Sequence, residues 1–296
     1  MTSYKNAEFL VETNWLANNF DLPELRIFDC AALPAPNPDE ALRKKYPLKP
    51  QSGRSLYEKC HITGAGFIDL PTELSDKNTD LPMMMPPLEQ IVEVVTRAGI
   101  GDDTLVILYS STNPMWAARV WWMLRAIGFN NAAILNGGLK KWLAEGHATS
   151  IEECTYTAAR FTIKSQADIF VSKNQVLAAI DKNDTLLIHS LTAEVYNGNK
   201  DALTFGRRGR IPGSVNIPSG NLHDPETGAY LSPSRLRDLF ESKQCSDAQR
   251  IITYCGGGIN ASNTAFALTL LGYDNITIYD GSMSEWGNDS SLPIEI

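Results

Sequence analysis

Residues 250–286 read RIITYCGGGINASNTAFALTLLGYDNITIYDGSMSEW, and residues 104–142 read TLVILYSSTNPMWAARVWWMLRAIGFNNAAILNGGLKKW. In both, a short apolar run ends in a tyrosine (Tyr254, Tyr109), a loop follows, and an apolar helical run ends at a glycine (Gly272, Gly128). Nine residues later comes another glycine (Gly281, Gly137), and five after that a tryptophan (Trp286, Trp142). Upstream, RIPGSVNIPS (210–219) answers HITGAGFIDL (61–70). A repeat at about half the chain length means one domain written twice, not a solenoid of small units.

Within each copy, apolar runs bounded by turn residues alternate with helical patterns. Strands are expected at 25–30, 104–109, 132–136, 185–190, 250–255 and 276–281, and helices at 88–98, 115–127, 234–243 and 261–271. Such alternation implies an α/β fold, with a parallel sheet in each copy flanked by helices on both faces. The expected division is a first domain over 1–148, a polar linker over 149–166 and a second domain over 167–296.

Bulk properties agree with two soluble domains. The 296 residues are 43% hydrophobic and 20% charged, which are globular values. The net charge of −8 argues against a nucleic-acid surface, and no apolar run is long enough to span a bilayer. The first residues, MTSYKNAEFLVETNWL, show no basic-then-apolar signal pattern. Five cysteines without a CxxC pair make a disulfide framework or zinc site improbable and fit a reducing compartment. A cytoplasmic protein is therefore expected.

Strand, Cys255, three glycines, then a helix start is an arrangement with consequences. Ligands of parallel sheets bind outside the carboxyl ends of the strands, where Cys255 falls. Glycines let successive N–H groups turn into one concavity, and the helix adds its own unpaired N–H groups and positive dipole end. A thiolate or another charged sulfur at that focus is stabilised. The plain alternative is a Gly-rich turn with an incidental cysteine. Against it stands the repeat, because the first copy has SSTNPM where the second has CGGGIN. One frame carries a thiol and the other is silent.

These motifs together resemble the tandem rhodanese-type sulfurtransferases, a group that includes thiosulfate and 3-mercaptopyruvate sulfurtransferases. HITGA and RIPGSVNIP before the loops and YDGSMSEW after the second loop carry the resemblance across nearly the whole chain. It implies a first domain that is catalytically silent and a ping-pong reaction with no metal or organic cofactor. Cys255 would be the nucleophile and persulfide carrier, and the backbone of Gly256, Gly257, Gly258, Ile259, Asn260 and Ala261 would hold the persulfide. A small anionic sulfur donor and a thiol, cyanide or protein-thiol acceptor are the implied partners, with no nucleic acid and no membrane.

The resemblance also marks His61, which in mercaptopyruvate-type relatives faces the second domain's active site; the alternative is a histidine satisfying a backbone carbonyl at the interdomain seam. Arg207, Arg208 and Arg210 form a compact basic cluster that would attract an anionic donor, unless it is an exposed charged loop. Where the family usually places a donor-binding arginine, this chain has Leu191 and Val195; His189 replaces the usual aspartate, and Gly257 stands where mercaptopyruvate enzymes carry a hydroxyl. A phosphatase on this fold needs arginine six residues after the cysteine, and Ala261 stands there. A non-catalytic persulfide- or protein-binding module is the competing expectation. LPMMMPP (81–87) and the helical Trp116, Trp121 and Trp122 are expected to pack on the core or between domains.

Overall fold

In a computed structural model, residues 3–166 and 168–296 are described. The expected start of the second domain at 167 and the first two residues of the first lie outside them. The first copy forms strands β1 (Leu10–Val11), β2 (Leu25–Asp29), β3 (Ala65–Phe67), β4 (Leu105–Tyr109) and β5 (Ala132–Leu135). The second forms β6 (Phe170–Val171), β7 (Thr185–His189), β8 (Val215–Asn216), β9 (Arg250–Tyr254) and β10 (Ile276–Tyr279). The strand orders are β1-β5-β4-β2-β3 and β6-β10-β9-β7-β8, so the two sheets match strand for strand. Every neighbouring pair in both is parallel.

The middle strands are buried over most of their length because both faces of each sheet are covered. Val106 to Tyr109 and Ile251 to Tyr254 are all buried. The tyrosines that end β4 and β9 explain the shared upstream motifs. Tyr109 Oη accepts the Ile62 N–H at 3.1 Å, and Tyr254 Oη accepts the Ile211 N–H at 3.1 Å. Each central strand thereby fixes the turn that opens its copy's third strand.

The helices that matter for the site are α1 (Leu88–Arg97), α2 (Pro114–Ala126), α3 (Gly138–Ala144), α4 (Pro233–Glu241), α5 (Ile259–Leu271) and α6 (Ser282–Trp286). Helix α1 is amphipathic, with Ile91, Val94 and Val95 buried. Helix α5 is not, for twelve of its thirteen residues are buried. The reason is that it is packed between its own sheet and α2 of the first copy. Across that seam the Trp122 indole donates to the Ser262 carbonyl at 3.0 Å, and the Trp121 and Phe266 rings meet edge-on at 4.9 Å. One hydrophobic core runs through both copies, from Phe28 and Trp121 to Phe266 and Ile278.

Residues 149–166 do not form a loose tether. Thr149–Ser150 pairs antiparallel with His61–Ile62, and the chain then runs extended over the first copy. Along the way the Ala159 N–H donates to Thr96 O and the Lys164 N–H to Ile127 O. Gly128, with φ +88°, is required here: a Cβ on it would stand 2.2 Å from the Lys164 carbonyl oxygen.

Candidate functional site

Strand β9 ends at Tyr254, and the chain turns through Cys255 to Gly258 into α5. Cys255 is 1% exposed. The loop is stitched to the start of α6 by two backbone bonds, Met283 N–H to Cys255 O at 3.0 Å and Ser284 N–H to Gly256 O at 2.8 Å. Ser282 completes the seam. Its buried hydroxyl donates to Tyr279 O at 2.7 Å and accepts the N–H groups of Cys255 at 3.0 Å and Gly258 at 3.2 Å.

That arrangement sorts the amides around the sulfur. Cys255 and Gly258 give theirs to Ser282. Those of Gly256 and Gly257, and of Ile259, Asn260 and Ala261 in the first turn of α5, have no protein acceptor among the described residues. The six residues expected to form the cradle are thus brought together, with Gly258 committed to holding its shape. Two of the glycines are sterically required. A Cβ on Gly256 would sit 2.3 Å from the Phe205 ring, and Gly258, at φ +78°, would drive one to 2.6 Å from Asp280 Oδ1. At Gly257 the nearest atom is 3.4 Å away, so a small side chain has room.

The silent loop of the first copy shows what the thiol replaces. Ser110 stands at the position of Cys255, and its hydroxyl accepts the Thr112 N–H at 3.1 Å and the Asn113 N–H at 3.2 Å. Asn113 then caps α2 through Met115 N–H at 3.0 Å. This cradle is filled by its own side chains.

Beneath the active loop lies an ion pair that links the copies. Arg119 of α2 is fully buried and contacts Asp280 at 2.6 Å. Arg119 also donates to Met83 O at 2.9 Å and lies over the Phe170 ring, while Asp280 accepts the Met85 N–H at 2.6 Å. Loop 81–87 is therefore pinned from both sides. Met83 takes a left-handed φ of 64° and, with Pro82, forms part of the wall facing Cys255. The expectation of simple core packing for this loop misses that role, and the same holds for Trp116. The cavity they enclose has a volume of about 110 Å³ and is completed by Met115, Leu191, Leu203 and Phe205.

Other expected residues lie apart from this cavity. His61 is buried, stacked on Tyr57, with Nδ1 2.7 Å from Tyr57 O and Nε2 3.0 Å from Glu152 O. Both ring nitrogens thus face backbone carbonyls of the first copy and its following segment. Arg207 donates to the carbonyls of Trp286, Gly287, Asp289 and Leu292, closing the end of α6. Arg210 pairs with Glu295 and lies over the Tyr196 ring. Arg208 is exposed and, with Arg207, lines a separate crevice behind Leu203 and Phe205.

His189 occupies the position of Asp29 in the other copy, each paired in register with the tyrosine of the neighbouring strand. Its Nδ1 accepts the Leu191 N–H at 3.3 Å. Burial, and secondarily the charge of Arg210, pushes its pKa down to about 3, so the ring is neutral. Among the other cysteines, burial pushes the thiols of Cys30 and Cys154 up, and that of Cys245 to about 12, which keeps them protonated.

Comparison with known proteins agrees with the duplicated architecture. The Rhodanese-like domain family matches residues 12–145 and again residues 172–289. The 3-mercaptopyruvate sulfurtransferase of Escherichia coli K12 is 32% identical, over 97% of this chain and 98% of its own. The thiosulfate sulfurtransferase of Rattus norvegicus is also 32% identical, over 94% of this chain and 91% of its own. The crystal structure of SseA from Escherichia coli superposes with a TM-score of 0.76 at 30% identity, covering 93% of this chain and 98% of that one.

Proposed function

The chain belongs to the rhodanese-like family as a two-domain sulfurtransferase, and from that premise we propose that Cys255 carries the transferred sulfur as a persulfide. One observation supports the assignment above the rest: a buried thiol in a loop with five backbone amides that no acceptor among the described residues uses. The Cys255 thiolate attacks the sulfane sulfur of thiosulfate or the thiol sulfur of 3-mercaptopyruvate, the donor's bond to that sulfur breaks, and its electron pair leaves on sulfite or on the enolate of pyruvate, which takes up a proton. The unengaged amides of Gly256, Gly257, Ile259, Asn260 and Ala261 then stabilise the charge on the outer persulfide sulfur, as an anion nest does. A thiol or cyanide removes that sulfur and restores the thiolate.

The first copy supplies one wall of the cleft and no nucleophile, since its loop holds Ser110 in its own cradle. No helix among the described residues is long and apolar enough to cross a membrane. Five free thiols fit a reducing cytoplasm, and the acidic chain fits small-molecule or thiol partners better than nucleic acid.

The test is intact mass after brief exposure of reduced protein to thiosulfate or 3-mercaptopyruvate. The expected result is one added sulfur on the wild type and none on Cys255→Ser, followed by its release to cyanide or a dithiol. A persulfide that forms but is never released would favour the binding-module reading, and sulfur retained on Cys255→Ser would overturn the nucleophile.

A further inference from the structure

Resting on the sulfur-transfer reading above, we propose that the donor suited to this cleft carries its sulfane sulfur on a small apolar group. The preferred chemical class is an organic hydropersulfide, R–S–SH, ahead of an oxoanion or a carboxylate.

The cavity beside Cys255 is walled by Met115 and Trp116 from the first copy, by Pro82 and Met83 of the pinned loop, and by Leu203 and Phe205. None of its lining residues carries a charge. Its polar groups, Asn260, Ser284 and the loop amides, belong to Cys255's own loop or to the segment stitched to it. The site thus offers hydrogen-bond donors for one charged sulfur and hydrocarbon for everything else. At about 110 Å³ it approaches the size of an apolar cavity that holds a benzene ring, ~150 Å³. A short alkyl chain or small ring fills it.

No cationic side chain lines the cavity. Arg119 is paired with Asp280 and Arg210 with Glu295, Arg207 is held by backbone carbonyls, and Lys49, between Leu48 and Pro50 of the wall, is exposed and outside the lining. Arg208 opens onto the crevice on the other side of Leu203 and Phe205. A donor with a sulfonate or carboxylate tail would have to leave that charge against apolar walls without a partner.

The transfer balances without any further reactant. The Cys255 thiolate attacks the terminal sulfur of R–S–SH and a new sulfur–sulfur bond forms. The bond between the donor's two sulfurs breaks, its electron pair leaves on R–S⁻, and R–S⁻ takes a proton from water. The product is Cys255–S–SH.

Two donors isolate the tail: ethyl hydropersulfide and the hydropersulfide of 2-mercaptoethanesulfonate. The readout is the single-turnover rate of sulfur addition to Cys255, followed by mass, with Cys255→Ser as background. The ethyl donor should react faster by about tenfold or more, equivalent to about 1.4 kcal/mol. Leu203, 43% exposed at the rim, can carry a cation without burying it, and Leu203→Arg should shrink or reverse that ratio. Equal or faster reaction of the charged donor with the wild type overturns the proposal alone. So does a ratio unmoved by Leu203→Arg. Failure of every donor, thiosulfate and 3-mercaptopyruvate included, to load Cys255 overturns the sulfur-transfer reading and this one with it.

Discussion

Ser282 and Gly138 hold equivalent positions in the two copies and share a left-handed backbone, at φ 48° and 54°. Glycine takes that conformation without strain, whereas a residue with a Cβ gives up on the order of 1–2 kcal/mol. The second copy keeps the strained residue where its hydroxyl accepts from Cys255 and Gly258.

Replacing Ser282 separates strain from hydrogen bonding. Ser282→Gly relieves the backbone but leaves two buried N–H groups without an acceptor; Ser282→Ala loses the hydroxyl and keeps the strain. The glycine variant should therefore be the more stable of the two by about 1 kcal/mol in urea unfolding. Both should load sulfur about tenfold or more slowly than wild type, because the loop is no longer pinned. Equal stability of the two variants would show that the left-handed backbone costs nothing.

His189 and Asp29, equivalent in position, pull stability in opposite directions with pH. His189 ordinarily would bind a proton near 6.5, but the native fold lowers this to about 3. Its contribution is complete above pH 6.5 and is lost as the pH falls towards 3, at about 1.4 kcal/mol per unit. Asp29 is raised by burial to about 6, so its contribution is complete below 3.8 and is lost as the pH rises through 6. His223, lowered by burial to about 4, adds to the histidine side. His189→Asn keeps an acceptor for Leu191 N–H and cannot titrate. Between pH 7 and pH 5 the wild type should lose on the order of 2 kcal/mol relative to that variant. Parallel stability curves would mean that His189 takes up a proton in the native state.

How much of this was legible follows from which forces act locally. The two matching sheets and the Cys255 loop could be read because apolar runs, glycines and the repeat are local patterns that burial on both faces of a parallel sheet enforces. The Arg119–Asp280 pair could not, since only the packing of α2 against α5 brings the two copies together; a lone arginine inside AARVWW was its single trace. The LPMMMPP loop showed hydrophobicity but not that two charged groups would hold it against the cleft. His61, Arg207 and Arg210 showed reactive or charged side chains, while the carbonyls and carboxylate that occupy them lie in distant segments. Ser282 was visible only as part of the YDGSMSEW motif, because its function lies in hydrogen bonds to a loop distant in sequence, aimed by a left-handed backbone.

The glycine loop allows a contrast between neighbours. Gly256→Ala would push a methyl to 2.3 Å from the Phe205 ring, which would have to shift into the cavity it borders. This overpacking should destabilise the protein by about 1–3 kcal/mol and, by displacing the cavity wall, slow sulfur loading. At Gly257 the nearest atom is Pro82 O at 3.4 Å and the next is Ser284 Oγ at 3.9 Å, so Gly257→Ser should change stability by no more than about 0.5 kcal/mol. It restores the hydroxyl that this family's mercaptopyruvate enzymes carry, beside an otherwise apolar cavity. Loading from 3-mercaptopyruvate should accelerate relative to loading from ethyl hydropersulfide, because the hydroxyl can donate to a carboxylate. Rates from both donors on each variant, with urea midpoints alongside, check the pair. A Gly257→Ser protein as damaged as Gly256→Ala would refute the space assigned to residue 257.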